Sequence, residues 1–187
     1  MTRLWLIRHG PTGAKGMCGW SDLPADLSDR AALARLRDAL PDAPVVSSDL
    51  LRAVATADAV QGDRPRLAHD PGLREMHFGA WELRTHAEAE AEDASLARGL
   101  WETPGQVAPP GGESWDALRA RVWGALDRLA AAEVIVVCHF GPILAVLQRA
   151  RGVSAVEAFA QAIDPLSLTV VARDGAGWRV ERANHAP

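Results

Sequence analysis

Two short apolar runs in this chain each lead into a histidine. Leu4–Ile7 is followed by His9, and Val134–Val137 is followed by His139. Apolar runs of this length are typical of buried β-strands and are too short for helices. In open α/β sheets, ligands collect outside the carboxyl ends of the strands. Both histidines are therefore predicted to lie at the same edge of a sheet, where a ligand would bind.

Strand and helix signals alternate along the rest of the chain, with Gly and Pro marking the breaks between them. The second strand precedes a helix whose first turn contains Arg52, so this side chain is predicted to reach the same sheet edge. The predicted elements are a strand at 4–7, a long loop at 10–27, a helix at 28–40 capped by Ser28, a strand at 45–46, a helix at 50–61 capped by 47–49, a strand at 66–69, a helix at 84–101, a helix through 118–129, a strand at 134–137, a helix from Pro142 and a hairpin at 168–182.

This alternation predicts an α/β fold, a three-layer sandwich with a mainly parallel central sheet flanked by helices. The final hairpin is expected to add an antiparallel edge. The chain has 187 residues, of which 48% are hydrophobic, enough for a substantial core. Because no linker or internal repeat is visible, residues 1–187 are expected to form one domain.

Charge and cysteine content argue against several classes of protein. The net charge is -4, from 20 basic and 24 acidic side chains, which gives no basic surface for nucleic acid. Cys18 and Cys138 are far apart and suggest neither a disulfide framework nor a zinc site. No run approaches the ~20 apolar residues that span a bilayer, and the opening run is too short for a signal peptide. We expect a soluble, cytoplasmic protein that binds neither nucleic acid nor membrane.

Five side chains together supply the groups that phosphoryl transfer through a histidine needs. His9 can attack phosphorus through an unprotonated ring nitrogen. Arg8 and Arg52 can bind the oxygens on which negative charge accumulates, and His139 can add a further donor. Glu75 can protonate the leaving oxygen if burial raises its pKa. Each residue alone has an ordinary structural interpretation, and only the combination favours catalysis.

The motifs around these residues resemble those of the histidine phosphatase superfamily, the phosphoglycerate-mutase-like proteins. The resemblance is collinear over about residues 3–145, and five matching blocks in the same order are far more specific than any one of them. The blocks are Leu6-Ile7-Arg8-His9-Gly10, Ser47-Ser48-Asp49-Leu50-Leu51-Arg52-Ala53-Val54-Ala55-Thr56-Ala57, Leu73-Arg74-Glu75-Met76-His77-Phe78-Gly79-Ala80-Trp81-Glu82, Pro110-Gly111-Gly112-Glu113-Ser114 and Val136-Val137-Cys138-His139-Phe140-Gly141.

The resemblance implies a role for each matching residue. His9 is the implied phosphorylated nucleophile and Glu75 the implied proton donor, while the remaining three groups hold the phosphate. Chemistry in this superfamily uses neither a metal nor an organic cofactor. The chain departs from the common pattern at Pro11, Lys15, Leu83 and Phe140, none of which removes a catalytic group. The phosphate- or substrate-binding residues implied here are Arg8, Arg52, His139, Gly10, Thr12, Gly19 and Phe140.

Within the superfamily, the chain looks like the alpha-ribazole phosphatases of cobalamin biosynthesis. This likeness rests on the opening segment, the loop Gly19-Trp20-Ser21-Asp22 and the small size. The expected partner is a small phosphate ester, and a homodimer is left open. Mutase-type phosphoryl transfer and non-catalytic binding of a phosphorylated ligand remain alternatives. Lys15, His77 and the loop 11–27 have no assigned role in specificity.

Overall fold

The computed structural model describes residues 1–187 as a five-stranded sheet with seven helices. None of these helices combines the length and the apolar character needed to cross a bilayer. The strands are β1 (Thr2–Arg8), β2 (Val45–Ser47), β3 (Glu133–Cys138), β4 (Leu168–Asp174) and β5 (Gly177–His185). The helices are α1 (Arg30–Asp38), α2 (Leu51–Gln61), α3 (His86–Glu92), α4 (Ala94–Glu102), α5 (Trp115–Asp127), α6 (Phe140–Arg151) and α7 (Ala155–Phe159).

The strand order is β2-β3-β1-β4-β5, which separates the sheet into two parts. Strands β2, β3 and β1 are parallel, so their carboxyl ends lie at one edge. The terminal hairpin adds β4 antiparallel to β1, and β5 antiparallel to β4. The predicted α/β fold class is confirmed, with a parallel centre and the antiparallel edge expected from the hairpin.

Both faces of the sheet are covered, because alternate side chains of each strand point to opposite sides. Leu4, Leu6 and Val136 belong to a core cluster that also contains apolar side chains of α3 to α6. Ile7 and Val137 belong to a second cluster with α1 and α2. The sheet is therefore the middle layer of three, as the sequence predicted.

Two helices start at positions that the sequence patterns did not predict, and each is capped by an aspartate. Helix α1 is capped by Asp29, whose carboxylate accepts from a first-turn N–H, and the predicted cap Ser28 lies one residue too early. The predicted helix over 84–101 is two helices, because Asp93 takes an extended conformation and caps α4 with its side chain. An aspartate cap satisfies first-turn donors and favours a new helix start at this point.

Helix α2, which contains Arg52, is held at its start by a distant loop. The predicted cap at 47–49 is wrong: Asp49 pairs with Arg74 instead, with a nitrogen–oxygen distance of 2.6 Å. The Leu51 N–H donates to Asp22 Oδ1 over 2.6 Å. The loop 10–27 therefore contacts the helix at the residue that precedes Arg52.

Two further sequence predictions differ from the structure. Residues 66–69 do not form a strand, and Arg66 makes only a single parallel bridge to Val45. Helix α6 begins at Phe140 rather than at Pro142, so it starts directly after the second histidine. The short helix α7 was not predicted from the sequence.

Candidate active site

The register of two neighbouring parallel strands brings the two histidines together. Arg8 of β1 is paired with Cys138 of β3, so the next residue in each strand lies at the same edge. The rings of His9 and His139 meet edge to face, with centroids 4.9 Å apart. His139 is fully buried and His9 is 7% exposed. The two histidines therefore lie together at the predicted sheet edge, almost entirely shielded from solvent.

Hydrogen bonds fix which nitrogen of His9 can react. Nδ1 lies 2.6 Å from the carbonyl oxygen of Gly10, which can only accept, so Nδ1 carries the proton. Nε2 keeps its lone pair and accepts from Nε of Arg52 over 3.2 Å. Burial, opposed by the Gly10 hydrogen bond and reinforced by the charges of Arg52 and Arg8, lowers the pKa of His9 to about 3. Nε2 is therefore an unprotonated nucleophile across the physiological range.

Arg52 is fully buried and is held by the backbone of the loop 10–27. Its terminal nitrogens donate to the carbonyl oxygens of Ser21 over 2.9 Å, Gly19 over 2.5 Å and Cys18 over 3.4 Å. These three carbonyls fix the plane of the guanidinium and leave its Nε–H directed at the nucleophile. An arginine that is already oriented loses little entropy when it binds a phosphate oxygen.

The Glu82 carboxylate binds the loop segment whose carbonyl oxygens bind Arg52. Its carboxylate accepts from the backbone N–H groups of Gly19, Trp20 and Ser21 and from the Ser21 hydroxyl, at distances of 2.6 to 3.1 Å. Burial alone would raise the pKa of Glu82, but hydrogen bonds from Ser21, Phe78 and Trp20 lower it. Sequence reasoning missed this residue, which directly follows the Gly79-Ala80-Trp81 turn.

Replacing Glu82 with alanine is expected to destabilise the protein and to weaken catalysis together. Hydrogen bonds to a charged group contribute about 2 kcal/mol each, so several lost bonds lower the melting temperature markedly. We expect kcat/KM to fall about tenfold, since a displaced arginine loses transition-state contacts. Glu82→Gln is the comparison variant and is expected to lose less than Glu82→Ala, because its amide oxygen replaces one of the two carboxylate oxygens. Unchanged kcat/KM in Glu82→Ala would show that this carboxylate does not position Arg52.

Arg8 reaches the same centre from the end of β1. One terminal nitrogen donates to the carbonyl oxygen of Ile163, and the guanidinium lies over the ring of Phe140 at 5.4 Å from the centroid. Its Nε is buried and has no hydrogen-bond partner in the protein. Burial lowers the pKa of Arg8, yet a guanidinium stays charged at neutral pH. Two cations therefore flank the nucleophile.

Glu75 brings a carboxyl group into this centre. Its Oε1 accepts from the N–H of Met76 over 2.9 Å and from the N–H of Gly141 over 3.0 Å. Its own carbonyl accepts from Arg121, which ties the segment to α5. Burial raises the pKa of Glu75, and this effect outweighs the two backbone hydrogen bonds and the charges of Arg52 and Arg8. A raised pKa is what a proton donor near neutral pH requires.

This centre agrees with a comparison to known families. The model of the histidine phosphatase superfamily (branch 1) matches residues 4–186. The chain belongs to this superfamily. It is 35% identical over 159 residues to the adenosylcobalamin/alpha-ribazole phosphatase of Salmonella typhimurium, covering 79% of this chain and 78% of that protein.

Two further proteins extend the comparison within the histidine phosphatase superfamily. A glucosyl-3-phosphoglycerate phosphatase of Mycobacterium tuberculosis is 35% identical over 163 residues, with 76% of this chain and 72% of that protein covered. The crystal structure of a putative alpha-ribazole-5'-P phosphatase from Escherichia coli superposes with a TM-score of 0.85 at 27% identity, covering 99% and 97% of the two chains. The chain spans about half the length of the first curated relatives it matches, 50% of each.

The histidine phosphatase centre opens into a cavity of about 550 Å³. Arg8, His9, Arg52 and Glu75 line it, and Thr12 and Phe140 line it as well. His139 lies behind the nucleophile, and both of its ring nitrogens are buried without a partner in the protein. The structure thus brings together the five groups predicted from the sequence, although His139 does not line the cavity.

Two glycines expected to bind phosphate do not line this cavity. The N–H of Gly10 donates to the Thr56 hydroxyl over 3.0 Å. The N–H of Gly19 donates to Glu82, and its carbonyl binds Arg52. Both glycines therefore shape the backbone around the catalytic groups, and the structure does not direct their N–H groups at a ligand.

Aromatic side chains also line the cavity, and the sequence patterns indicated only Phe140 among them. Five rings line it, and we call them the aromatic wall. They come from five separate segments, so no local pattern could have grouped them. Two other tryptophans do not line the cavity: Trp81 is fully buried in the core, and the Trp20 ring packs against His77. The aromatic wall consists of Phe78, Trp101, Trp115, Phe140 and Phe159.

Replacing Gly141 with alanine is expected to impair catalysis without unfolding the protein. A Cβ at this position would overlap Glu75 Oε1, so the carboxyl group must move from its place. We expect kcat to fall at least about tenfold, as general acids act only when correctly placed. Gly124→Ala in α5 is the control, because its Cβ meets only a flexible arginine tip at 3.8 Å. Wild-type kcat in Gly141→Ala would contradict the placement of Glu75.

Proposed function

We propose that this protein is a phosphomonoesterase that hydrolyses a small phosphorylated metabolite through a phosphohistidine at His9. One observation carries the proposal. The unprotonated Nε2 of His9 faces the same cavity as a buried carboxyl group with a raised pKa and two guanidinium groups. A protein that only bound phosphate would need the cations but neither the nucleophile nor the acid.

In the first step, Nε2 of His9 attacks phosphorus and the bond from phosphorus to the alcohol oxygen breaks. Glu75, in its protonated form, gives its proton to the departing oxygen, so a neutral alcohol leaves. In the second step, a water oxygen attacks the phosphohistidine and the nitrogen–phosphorus bond breaks. The Glu75 carboxylate takes the proton from that water and is restored for the next cycle.

Charge on the transferring phosphoryl group is balanced by fixed donors. Arg52 donates its Nε–H to the nucleophile, and the Arg8 guanidinium lines the same cavity. Burial, with the nearby cations, lowers the pKa of His139 well below its ordinary value, so a neutral ring offers one N–H. The ring contacts His9 but does not line the cavity, so its contact with a phosphate oxygen stays a prediction.

Alpha-ribazole 5'-phosphate is the substrate we propose to test first. The support is the similarity of the chain to the adenosylcobalamin/alpha-ribazole phosphatase of Salmonella typhimurium and to the putative alpha-ribazole-5'-P phosphatase of Escherichia coli. Phosphoglycerate-mutase-type transfer is the alternative reaction of the same phosphohistidine. It differs in one product, because a mutase returns the phosphoryl group to the substrate whereas a phosphatase releases inorganic phosphate.

The test is to mix the protein with alpha-ribazole 5'-phosphate carrying a radioactive phosphoryl group and to quench in alkali within milliseconds. We expect acid-labile, alkali-stable label on His9 and stoichiometric release of free phosphate at longer times. The matched control is the same experiment with unreactive His9→Ala protein. Label that never appears on the protein, together with no turnover across a panel of phosphate esters, would overturn the proposal.

We also place this enzyme in the cytoplasm. Both cysteines are free, with Cys18 half-buried and Cys138 buried, which fits a reducing compartment. Burial raises the pKa of the Cys138 thiol, so this neighbour of His139 stays protonated and is not a competing nucleophile.

A further inference from the structure

We infer that the aromatic wall selects substrates whose alcohol half carries an uncharged aromatic ring, and that Trp101 is the main specificity-determining residue. The inference rests on the proposed function and deepens it. It follows from three features of the cavity: the arrangement of its rings, the exposure of those rings, and the lack of a cation in the lining beyond Arg8 and Arg52.

Trp101 lies at the middle of the ring system. Its centroid is 4.8 Å from that of His86, 6.2 Å from Phe78 and 6.3 Å from Phe159. Phe159 in turn meets Trp115 edge to face at 4.7 Å. Edge-to-face and tilted contacts of this kind hold rings in fixed orientations. The wall is therefore a preformed surface on one side of the cavity.

The wall has both a supporting layer and a free surface. Phe78 and Trp115 are at most 8% exposed and belong to the main core cluster. The Trp115 indole N–H donates to Gln148 Oε1 over 2.9 Å, so its polar atom is satisfied away from the cavity. Trp101 and Phe159 are only partly buried and pack against that core with one side. Their remaining surface faces the cavity shared with the nucleophile.

Charge in the cavity favours an alcohol half without a carboxylate. The only guanidinium groups in its lining are Arg8 and Arg52, and both flank the reacting phosphoryl group. Arg52 has already given most of its donors to loop carbonyls. Lys15 is exposed and does not line the cavity. A carboxylate placed against the wall would lose its hydration without gaining a cation.

The volume is also adequate for a ring in addition to the phosphate. A cavity of about 550 Å³ is within the range that holds drug-sized ligands. Stacking on an aromatic face and burial of apolar surface would both favour a planar group beside Trp101. His86, at the start of α3 and in edge contact with Trp101, places one polar ring at the rim.

The experiment compares three esters of primary alcohols, so that the leaving groups are chemically alike. They are 2-phenylethyl phosphate, ethyl phosphate and 4-(phosphonooxy)butanoate. For the wild-type protein, we expect kcat/KM for 2-phenylethyl phosphate to exceed that for ethyl phosphate at least about tenfold, the scale on which hydrophobic pockets discriminate. The carboxylate ester is expected to be the poorest of the three.

Trp101→Ala is expected to lower kcat/KM for 2-phenylethyl phosphate about tenfold while changing that for ethyl phosphate less than about threefold. Trp101→Phe should retain most of the preference, because it keeps a ring. Trp123→Ala is the matched control, since this tryptophan packs under Arg119 and Arg149 outside the cavity. If the alanine variant does not fold, Trp101→Leu serves in its place, as it fills more of the space without a ring.

The outcomes separate this inference from the proposed function. Turnover of all three esters without an aromatic preference, or an equal loss for both neutral esters in Trp101→Ala, would overturn the inference alone. The wild-type protein could instead prefer the carboxylate ester, and Lys15→Ala could remove that preference. This result would also overturn the inference and would identify Lys15 as the cation that binds the carboxylate. No turnover of any ester and no label on His9 would overturn the proposed function.

Discussion

Replacing His9 with alanine is expected to lower kcat by about 10⁴-fold or more and to abolish labelling of the protein. The Nε2 atom is the one unprotonated nitrogen directed at the cavity, and His139 lies behind it, fully buried. Cys18 also lines the cavity, but burial raises the pKa of its thiol and so disfavours the thiolate. Steady-state release of phosphate from 2-phenylethyl phosphate measures kcat, and alkaline quenching measures the phosphohistidine.

The control for this variant is another histidine outside the cavity. His69 is exposed, and its Nδ1 lies 3.0 Å from the Ser47 hydroxyl. His69→Ala is expected to keep kcat within about twofold of wild type, as surface substitutions have small effects. If His9→Ala retained more than a few per cent of wild-type kcat with a wild-type melting temperature, direct attack by water would replace the phosphohistidine route.

Glu75→Gln is expected to have an effect that depends on the leaving group. The amide oxygen can still accept from Met76 and Gly141, as Oε1 does now, so the fold is preserved. The amide cannot give up a proton, and a general acid contributes about 10²- to 10⁴-fold. We expect kcat for 2-phenylethyl phosphate to fall about 10³-fold. For p-nitrophenyl phosphate, whose leaving group needs little protonation, the loss should be smaller.

The control carboxyl for this variant is Glu90, which is exposed on α3. Glu90→Gln should leave both esters unaffected. An equal loss for the two esters in Glu75→Gln would show that the carboxyl group does not protonate the leaving oxygen. Arg52 or a bound water would then have to stabilise the departing charge.

The pH profile of kcat follows from the same two groups. Burial raises the pKa of Glu75, and the first step needs its protonated form, so kcat should fall as the pH rises above this pKa. The pKa of His9 is lowered to about 3, so the nucleophile is unprotonated at every higher pH. We expect higher activity below neutral pH, with the alkaline decline absent in Glu75→Gln. A flat profile from pH 5 to 8 would contradict this assignment.

The phosphate centre was predictable because strand ends are readable in sequence. Leu4–Ile7 and Val134–Val137 are short apolar runs that can only be buried strands, and the residue after each run lies at a fixed edge. Arg52 follows the same logic through the first turn of α2. Glu75 was identified through the resemblance of its block to the superfamily motif, because it lies in a segment without regular structure.

Long-range side-chain contacts explain what the sequence did not indicate. Asp22 holds the start of α2, and Glu82 binds three consecutive N–H groups more than 60 residues earlier in the chain. Neither contact has a local signature, because each joins residues that are far apart in the sequence. The split of 84–101 at Asp93 was missed for another reason: alanine and glutamate favour helix on both sides, and the break depends on one backbone conformation.

The chemistry and the selectivity of this protein are built from different parts of the chain. The reacting groups are fixed by strand ends and by loop carbonyls, whereas most of the aromatic wall stands on the ends of α4, α5, α6 and α7. Substitutions at those helix ends can exchange one ring for another residue while the nucleophile and its cations keep their positions. A descendant of this protein could thereby acquire a new metabolite without rebuilding its reaction centre.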